Sequence, residues 1–437
     1  MTIRMTNYTY ILYYIPYNYM KGIAFLITLA WLMPYATLCA QEPADSAVMV
    51  EIYTPSWGER MYNSLTLLAQ EADRNYYNTG MSVYDLTTDS LIFAYNQHKL
   101  MRPASTQKVL TAIAALDLLG ANHVYATKVY AKGNVTDGVL KGDLYVVGDF
   151  DPMLTADHLR QMAKGVKEAG ITRVEGLLLA DVSMKDTLCL GNGWCWDDDQ
   201  PFLTPLSLSG KAYECSSYKI NRYSPTLNFM ASLAAALKAE GITTGTAGTA
   251  TLKLTDDCTL IAQVTHTLRE VLTPMMKDSD NLMAESMFFQ LGAEKKRGAS
   301  WKDCASQVEA VITRAGMSTS LAVVADGCGL SLYNYITPGL QVAMLRYAYQ
   351  HDAIFGPLYH SMPIAGMDGT LQSRLMKTKA ERNVHAKTGT VTGVSTLTGY
   401  LTASNGHLIA FSIMCNGQKK ASEARAFQDR ICEAMCE

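Results

Sequence analysis

One apolar segment limits the fold more than any other part of the chain. Residues 103–120 read PASTQKVLTAIAALDLLG, with apolar side chains on nearly every face of the helix that they predict. A helix of this kind, unlike a surface helix with one apolar stripe, has to lie in the middle of the fold. Gly120 ends it. Lys108, inside this segment, is costly to bury unless a partner or a function compensates for its lost hydration.

Ser105 and Lys108 are three residues apart and therefore share one face of a helix. Burial lowers the pKa of a lysine, and a neutral amine within hydrogen-bond reach can deprotonate a serine hydroxyl. The same spacing also arises by chance, from a capping serine near a lysine whose ammonium reaches solvent. The pair alone therefore leaves both interpretations open.

A second motif, Ser279-Asp280-Asn281, lies at a predicted break between two helices. On a turn, Ser279 and Asn281 can point into one cleft, where the serine relays a proton to a leaving amine and the asparagine amide holds a substrate carbonyl. The alternative is a pair of helix-capping residues.

A third motif, Lys387-Thr388-Gly389, lies on a predicted strand. Alternation puts Lys387 and Gly389 on the same face. Lysine and threonine can bind a substrate carboxylate, and glycine leaves room for a substrate to lie along the strand edge. An ordinary strand with one exposed lysine is the alternative.

The composition excludes several classes of function. The chain has 437 residues, of which 49% are hydrophobic and 18% charged, so it can bury a large core. Its net charge of −3 and lack of long basic runs argue against nucleic acid as a partner. The eight histidines are scattered without a His-Glu-x-x-His motif, so we expect neither a catalytic metal nor another cofactor.

Residues Met20 to Pro43 have the pattern of a secretory signal peptide: a lysine, an apolar run and then small residues. We expect Met20 to be the true start and cleavage to follow Ala40. Lipidation of Cys39 and an uncleaved anchor are the alternatives. The mature chain is predicted to lack a transmembrane segment and to be periplasmic, with loose membrane or lipid association left open. Export permits disulfides, and one or two among the ten cysteines are expected.

The remaining patterns predict helices around an antiparallel sheet, with an inserted region. A helix over 58–73 precedes a hairpin of 81–86 and 91–96, and the last part of the chain combines helices with a hairpin over 385–416. Between the two parts, helices alternate with strands at 128–135, 142–148, 174–182 and 250–255. The predicted divisions are 1–40 (extension and signal peptide), 41–120 and 266–437 (two parts of one domain) and 121–265 (inserted α/β subdomain).

The three motifs, in this order, are those of class A β-lactamases and penicillin-binding proteins. The chain more closely resembles the class C low-molecular-mass penicillin-binding proteins, the D-alanyl-D-alanine carboxypeptidase/endopeptidase family. Other blocks similar to that family are VVGDFDPML, GNGWCWDDD, ADGCGLSLYNYITP and PIAGMDGTLQSRL. The resemblance implies an α+β fold: a β-lactamase/transpeptidase-like domain, an antiparallel sheet flanked by helices, with a subdomain inserted between the first two motifs.

The resemblance also implies catalytic roles. Ser105 is the acylated nucleophile and Lys108 its base, while Ser279 and Asn281 form the second wall of the cleft. Lys387 completes this catalytic set.

On the third motif, the resemblance implies that Lys387 and Thr388 bind the terminal carboxylate of D-Ala-D-Ala, beside Gly389. The backbone N–H groups of Ser105 and Thr390 would form the oxyanion hole.

Two departures bear on specificity. Many family members read DGSGLSR where this chain has Cys328 in place of the serine and Leu332 in place of the arginine. If that arginine binds a side-chain carboxylate of the substrate, preference for a diamino-acid stem peptide is in doubt. Asp149 or Asp151 could line the substrate groove, and a turn role is an equal alternative.

The sequence thus predicts a periplasmic serine D,D-peptidase, a carboxypeptidase, an endopeptidase or both, whose partners are peptidoglycan stem peptides and β-lactam antibiotics. A serine β-lactamase is one alternative, although no Glu-x-x-Asn block lies between the first two motifs. A catalytically silent cell-wall-binding protein is the other.

Overall fold

The computed structural model describes residues 2–5, 8–11, 55–74, 78–195, 198, 202–209 and 225–437. Two short antiparallel strands, β1 (Thr2–Met5) and β2 (Tyr8–Ile11), belong to one unit of the chain. Residues 55–437 belong to a second unit. The predicted signal segment, Met20 to Pro43, lies outside the described residues. Within the described ranges, no helix has both the length and the apolarity needed to cross a membrane.

The helices of the larger unit include most of those predicted. They are α1 (Trp57–Arg74), α2 (Gln107–Leu118), α3 (Ala156–Glu168), α4 (Pro225–Ala239), α5 (Leu268–Lys277), α6 (Asn281–Ala293), α7 (Trp301–Arg314), α8 (Pro338–Tyr349), α9 (Asp352–Ser361) and α10 (Ala421–Met435). Three of them start with a capping box, in which the N-cap side chain and the third residue of the helix satisfy each other's backbone N–H groups.

A five-stranded antiparallel sheet unites the two ends of this unit. Its strand order is β13-β14-β15-β3-β4, so a hairpin from the beginning pairs with three strands from the end. The strands are β3 (Asn78–Asp85), β4 (Ser90–Tyr95), β13 (His385–Val391), β14 (Val394–Thr402) and β15 (Leu408–Asn416). Two short strands that precede β13 in the chain, β11 (Ala322–Val323) and β12 (Tyr335–Ile336), pair with each other in a separate antiparallel sheet. The predicted hairpin of 81–86 and 91–96 is thereby confirmed.

The prediction of one hairpin over 385–416 was wrong, because this region holds three strands. Val391 pairs with Val394, so Thr392 and Gly393 form a two-residue turn inside what we took for a single strand. Gly393 has a φ of +74°, which a turn of this length requires and glycine adopts without strain. The β-branched residues on both sides concealed this turn in the sequence.

A second, mixed sheet lies between the first two motifs. Its order is β10-β5-β6-β8-β9, with β7 also pairing with β6. The strands are β5 (Val124–Thr136), β6 (Val139–Val147), β7 (Arg173–Val174), β8 (Leu178–Asp181), β9 (Ala247–Thr249) and β10 (Cys258–Thr267). Its apolar core includes buried residues of α3 and α4. An antiparallel sheet flanked by helices and a second α/β layer confirm the α+β class, while the boundaries at 121 and 265 stay a prediction.

The strand predicted at 250–255 was wrong. These residues form a connection between β9 and β10, in which the N–H of Leu252 donates to Oδ2 of Asp181 at 2.8 Å and takes the place of a ladder hydrogen bond. The real strand, β10, begins at Cys258 and pairs with β5 through a register shift. Only Val264 of this strand is buried, so its sequence has no alternating pattern of apolar residues to recognise.

Helix α2 lies at the centre of the fold, as its composition predicts. Every residue from Gln107 to Leu116 is buried, and α2 packs against α6, α7, α8 and α9. Complete burial of a leucine or isoleucine stabilises the fold by about 1.5–3 kcal/mol. This apolar surface holds Lys108 in a dry environment.

The expected disulfides are not found among the described cysteines. All eight of them are free thiols, including the buried Cys432 on α10 and the buried Cys436 directly after it. Cys39 and Cys215 lie outside the described residues.

Candidate active site

Ser105 lies on a tight turn that is fastened to the antiparallel sheet. The turn is a short 3₁₀ helix, Ala104–Thr106, directly before α2. Ala104 has a φ of +47°, a left-handed conformation that costs free energy in a residue other than glycine. On β14, Thr396 donates its hydroxyl to the carbonyl of Pro103 at 2.7 Å. The sheet therefore holds this strained turn in place, with Ser105 half-buried just before the first residue of α2.

Gln341, a fully buried residue of α8, fastens the same turn from below. Its Nε2 donates to the carbonyl of Thr106 at 3.0 Å, while its Oε1 accepts from the hydroxyls of Thr398 and Ser412. The sequence analysis missed this residue, since a glutamine within an apolar helix carries no motif.

Lys108 is fully buried, and its Nζ makes three hydrogen bonds. It donates to Oγ of Ser105 at 3.1 Å, to Oδ1 of Asn281 at 2.6 Å and to the carbonyl of Cys328 at 2.8 Å. Burial lowers the pKa of Lys108, and the acidic groups around it only partly oppose this effect.

These contacts suit a neutral amine as well as an ammonium. A neutral Nζ has two N–H donors and one lone pair. The oxygens of Asn281 and Cys328 can accept only, so they take the two donors and leave the lone pair facing the hydroxyl of Ser105. The geometry is that of a serine beside its general base.

The second motif serves both of the roles that the sequence left open. Asp280 is the N-cap of α6 and accepts from the N–H of Met283 at 2.9 Å. Ser279, with a φ of +62°, turns its side chain toward Lys387, while Asn281 faces Lys108. The middle residue stabilises the helix, Ser279 lines the cleft, and Asn281 accepts a hydrogen bond from Lys108 behind it.

Lys387 of β13 is the second buried lysine of the site. Its Nζ donates to Oγ of Ser279 at 2.9 Å and to the carbonyl of Thr388 at 2.8 Å. Burial, assisted by the nearby charge of Lys108, holds the pKa of Lys387 well below its usual value. Through these two lysines, hydrogen bonds link all three motifs.

Strand β13 passes very close to the serine turn, and Gly389 makes this approach possible. A Cβ at this position would lie 2.7 Å from the carbonyl oxygen of Pro103 and 2.9 Å from the backbone nitrogen of Ser105. Thr388 and Thr390 point to the opposite face of the strand, into the cleft, and Thr388 donates to the hydroxyl of Thr370 at 2.7 Å. The predicted site residues of the third motif are thus brought to Ser105.

A loop at 326–331 supplies the carbonyl that holds Lys108. Oε1 of the buried Glu285 accepts from the N–H groups of Gly327 and Cys328, at 2.8 and 2.7 Å. Burial, and the neighbouring Asp326, raise the pKa of Glu285 to about 8. Cys328, at the position where the family pattern has a serine, thus contributes its backbone carbonyl, and no sequence motif predicted this role.

Glu285, Asp326 and Cys328 place ligand-type atoms within 4.8 Å of one another, all of them buried. The carboxylate of Asp326 already accepts four hydrogen bonds: from the N–H groups of Gly329 and Ser331 and from the side chains of Asn334 and Trp194. Its oxygens are therefore engaged in folding the loop and are poorly suited to hold a metal ion.

The cleft in front of Ser105 has a volume of about 380 Å³. Besides predicted residues, its walls include residues that the sequence analysis missed. They are Thr370, Ser373, Arg374 and Arg425. Arg374 lies in the PIAGMDGTLQSRL block that resembles the family, but the block alone did not single it out, and Arg425 lies in a segment with several charged residues where nothing in the sequence distinguishes it.

The two aspartates that the sequence analysis considered for the substrate groove make hydrogen bonds within the fold. Asp149 accepts from the N–H of Ala126 at 2.6 Å, and the buried Asp151 binds Nδ1 of His266 at 2.7 Å. Both carboxylates stabilise the turn after β6, which favours the turn role. Leu332 is 44% exposed on the loop that follows Cys328.

Comparison with known proteins identifies the family of the chain. The model of the D-Ala-D-Ala carboxypeptidase 3 (S13) family matches residues 63–209 and 208–435. The chain is 30% identical to a D-alanyl-D-alanine carboxypeptidase of Actinomadura sp., over 82% of this chain and 81% of that protein. It is 28% identical to D-alanyl-D-alanine carboxypeptidase DacB of Haemophilus influenzae, over 78% of this chain and 85% of that protein.

Comparison with solved structures points to the same family of proteins. The crystal structure of penicillin binding protein 4 (dacB) from Haemophilus influenzae superposes with a TM-score of 0.75 at 25% identity, and the match covers 84% of this chain and 97% of that one. The predicted penicillin-binding-protein architecture is confirmed. The chain belongs to the D-Ala-D-Ala carboxypeptidase 3 (S13) family and is a serine peptidase, as its three motifs predicted.

Proposed function

We propose that Ser105 is the acylated nucleophile of a D-Ala-D-Ala carboxypeptidase reaction and that Lys108 is its general base. Oγ of Ser105 attacks the carbonyl carbon of the penultimate D-alanine, and its proton passes to Nζ of Lys108, 3.1 Å away. The C–N bond then breaks, the leaving amine takes up a proton, and D-alanine departs. Water hydrolyses the remaining ester, which restores the serine.

The proton for the leaving amine has a continuous route in this proposal. The hydroxyl of Ser279 lies at the cleft and is held at 2.9 Å from Nζ of Lys387, so it is oriented to pass a proton to the amine. Burial lowers the pKa of both lysines, which favours release of a proton from either ammonium. Asn281 holds Lys108 and extends toward the substrate carbonyl.

Substrate binding is assigned to the strand edge. Thr388 and Thr390 face the cleft from β13, and the backbone N–H groups of Ser105 and Thr390 are the proposed oxyanion donors. Gly389 keeps the strand close to the serine turn, which brings these two N–H groups to the same carbonyl. Donors of this kind stabilise the tetrahedral intermediate by about 3–4 kcal/mol each.

The observation that carries the proposal is the hydrogen bonding of Lys108. One buried amine, whose pKa is lowered by burial, contacts both the serine of the first motif and the asparagine of the second. A purely structural lysine would be paired with a carboxylate. A silent binding protein would have no need for this costly arrangement.

We infer from the names of the relatives and of the similar solved structure that the substrates are peptidoglycan stem peptides ending in D-Ala-D-Ala and that penicillins acylate the same serine. Such substrates lie outside the inner membrane, so the proposed location is the periplasm. Endopeptidase activity on cross-links is part of this proposal.

The test is acylation by a labelled penicillin, followed by intact mass. The wild-type protein should form a long-lived adduct, Ser105→Ala should form none, and Ser306→Ala, at an exposed serine of α7, should behave as the wild type. Release of D-alanine from a stem pentapeptide should depend on Ser105 in the same way. Rapid turnover of the drug would indicate a β-lactamase instead, and a wild-type protein without any adduct would refute the proposal.

A further inference from the structure

Arg425 brings an uncompensated positive charge to the cleft. It is an exposed residue of α10, and its Nη2 donates to Oγ1 of Thr390 at 3.4 Å. Thr390 is the residue whose backbone N–H is assigned to the oxyanion hole. Among the ion pairs of the described residues, none involves Arg425, although its helix neighbours Asp429 and Arg430 both have partners. An arginine in such a position is available for a ligand.

The backbone beneath Arg425 is held in place by the other arginine of the cleft. Nη2 of Arg374 donates to the carbonyl of Arg425 at 3.2 Å and to Oδ1 of Asp429 at 2.6 Å, and its Nε donates to the same Oδ1 at 3.0 Å. The charge of Arg374 is therefore balanced by Asp429, while its contacts fix the start of α10 against the cleft wall. Arg425 is thus positioned by its neighbours and not neutralised by them.

The lining of the cleft favours a negatively charged ligand beside Arg425. The described residues that line it include no acidic side chain, and six of them have hydroxyl groups: Ser105, Ser279, Thr370, Ser373, Thr388 and Thr390. The other two are Arg374 and Arg425. A guanidinium matches a carboxylate with two parallel N–H donors, and a neighbouring threonine hydroxyl adds a third. These groups together form a carboxylate site at one end of the cleft.

We propose that Arg425 binds the carboxylate of the leaving residue and so makes the enzyme select substrates with a free carboxylate next to the scissile bond. This inference rests on the proposed function and extends it to a specificity-determining residue. The carboxylate of the leaving residue is one peptide unit away from the scissile carbonyl. Arg425 contacts the side chain of Thr390, whose N–H is assigned to that carbonyl.

The test uses two thioester substrates that differ in one charge: N-benzoyl-D-alanyl thioglycolate and its methyl ester. A thioester reacts readily enough for both rates to be measured even without the carboxylate contact. The proteins are the wild type, Arg425→Ala, Arg425→Lys and the control Arg430→Ala. Arg430 is an exposed arginine of the same helix that pairs with Glu71 and does not line the cleft.

We expect Arg425→Ala to lower kcat/KM for the acid by about ten-fold, which is the effect of losing one charge-assisted hydrogen-bonding group. The kcat/KM of the same variant for the ester should stay within about two-fold of the wild-type value. Arg425→Lys should recover part of the loss, and Arg430→Ala should resemble the wild type. Equal losses for acid and ester, or no loss for the acid, would overturn the proposal for Arg425. If the wild type hydrolyses neither thioester and forms no penicillin adduct, the proposed function itself fails, which is a distinct result.

Discussion

Replacing Gly329 with alanine should damage the fold and the chemistry together, because this glycine carries the loop that holds Lys108. Gly329 has a φ of +88°, and a Cβ there would overlap the carbonyl oxygen of Ala104 and lie 3.0 Å from Cβ of Gln107. Both contacts are backbone or near-backbone atoms of the serine turn, which cannot rotate away. The loop that contains Gly329 therefore has to move away from the serine turn.

A matched control, Gly241→Ala, separates the cost of the left-handed backbone conformation from the cost of the steric overlap. Gly241, with a φ of +81° and no atom within 4 Å of an added Cβ, measures the cost of the left-handed conformation alone, about 1–2 kcal/mol for alanine. Gly329→Ala adds overpacking of about 1–3 kcal/mol. The free energy of unfolding of Gly329→Ala should therefore be lower than that of Gly241→Ala by about 1–3 kcal/mol.

The retreat of the loop also moves the carbonyl of Cys328, the residue before Gly329, away from its 2.8 Å contact with Lys108. A displacement of about 1 Å in a catalytic group costs roughly 100-fold in rate. Urea unfolding gives the stability difference, and stopped-flow acylation by a fluorescent penicillin gives the rate. If Gly329→Ala and Gly241→Ala are equally stable, or if both acylate at the wild-type rate, the role assigned to the loop is incorrect.

Three further predictions concern the buried charges. Lys108→Met, which preserves the shape of the side chain, should fold but form no penicillin adduct at Ser105, as intact mass will show; normal acylation would exclude Lys108 as the base. The acylation rate of the wild type should rise with pH as Lys108 loses its proton, with a midpoint below the ordinary lysine pKa of 10.5, and a flat profile would contradict this. Glu285→Gln tests the raised pKa of about 8. Between pH 5 and pH 8 the native Glu285 binds a proton that the unfolded chain has released. The free energy of unfolding of the wild type should therefore fall relative to that of Glu285→Gln as the pH rises, by at most about 1.4 kcal/mol per pH unit. A difference between the two proteins that does not change with pH would contradict the raised pKa.

The sequence was sufficient to predict which residues of one motif act together, because their spacing along the chain indicates that their side chains lie close to each other. Ser105 and Lys108 are three residues apart, and the short 3₁₀ turn with the first residues of α2 was enough to bring them together. Joining them to Ser279 and Lys387 required the recognition of a family pattern, since no local property relates segments so distant in the chain. The structure brings these residues into one hydrogen-bonded group.

Contacts made by backbone atoms could not be predicted in this way. The carbonyl of Cys328 accepts from Lys108 whatever side chain follows it, so the residue type contains no information about the role. Arg425 reaches the cleft only because α10 packs beside β13 and β14, and among the charges of an amphipathic helix it is not distinctive. The turn at Gly393 was missed because strand-forming residues surround it on both sides.

The pairing of early and late strands has a consequence for the order of events during synthesis. β3 is hydrogen-bonded to β15, and the N–H of Arg102, just before the serine turn, donates to Oδ1 of Asn416 at 2.9 Å. Ser105 is thus synthesised early, whereas the strand, the glycine and the arginine that face it follow much later in the chain. A nascent chain that ends before β13 holds Ser105 without its opposing wall. The proposed catalytic group is therefore completed only after the late strands have paired with β3.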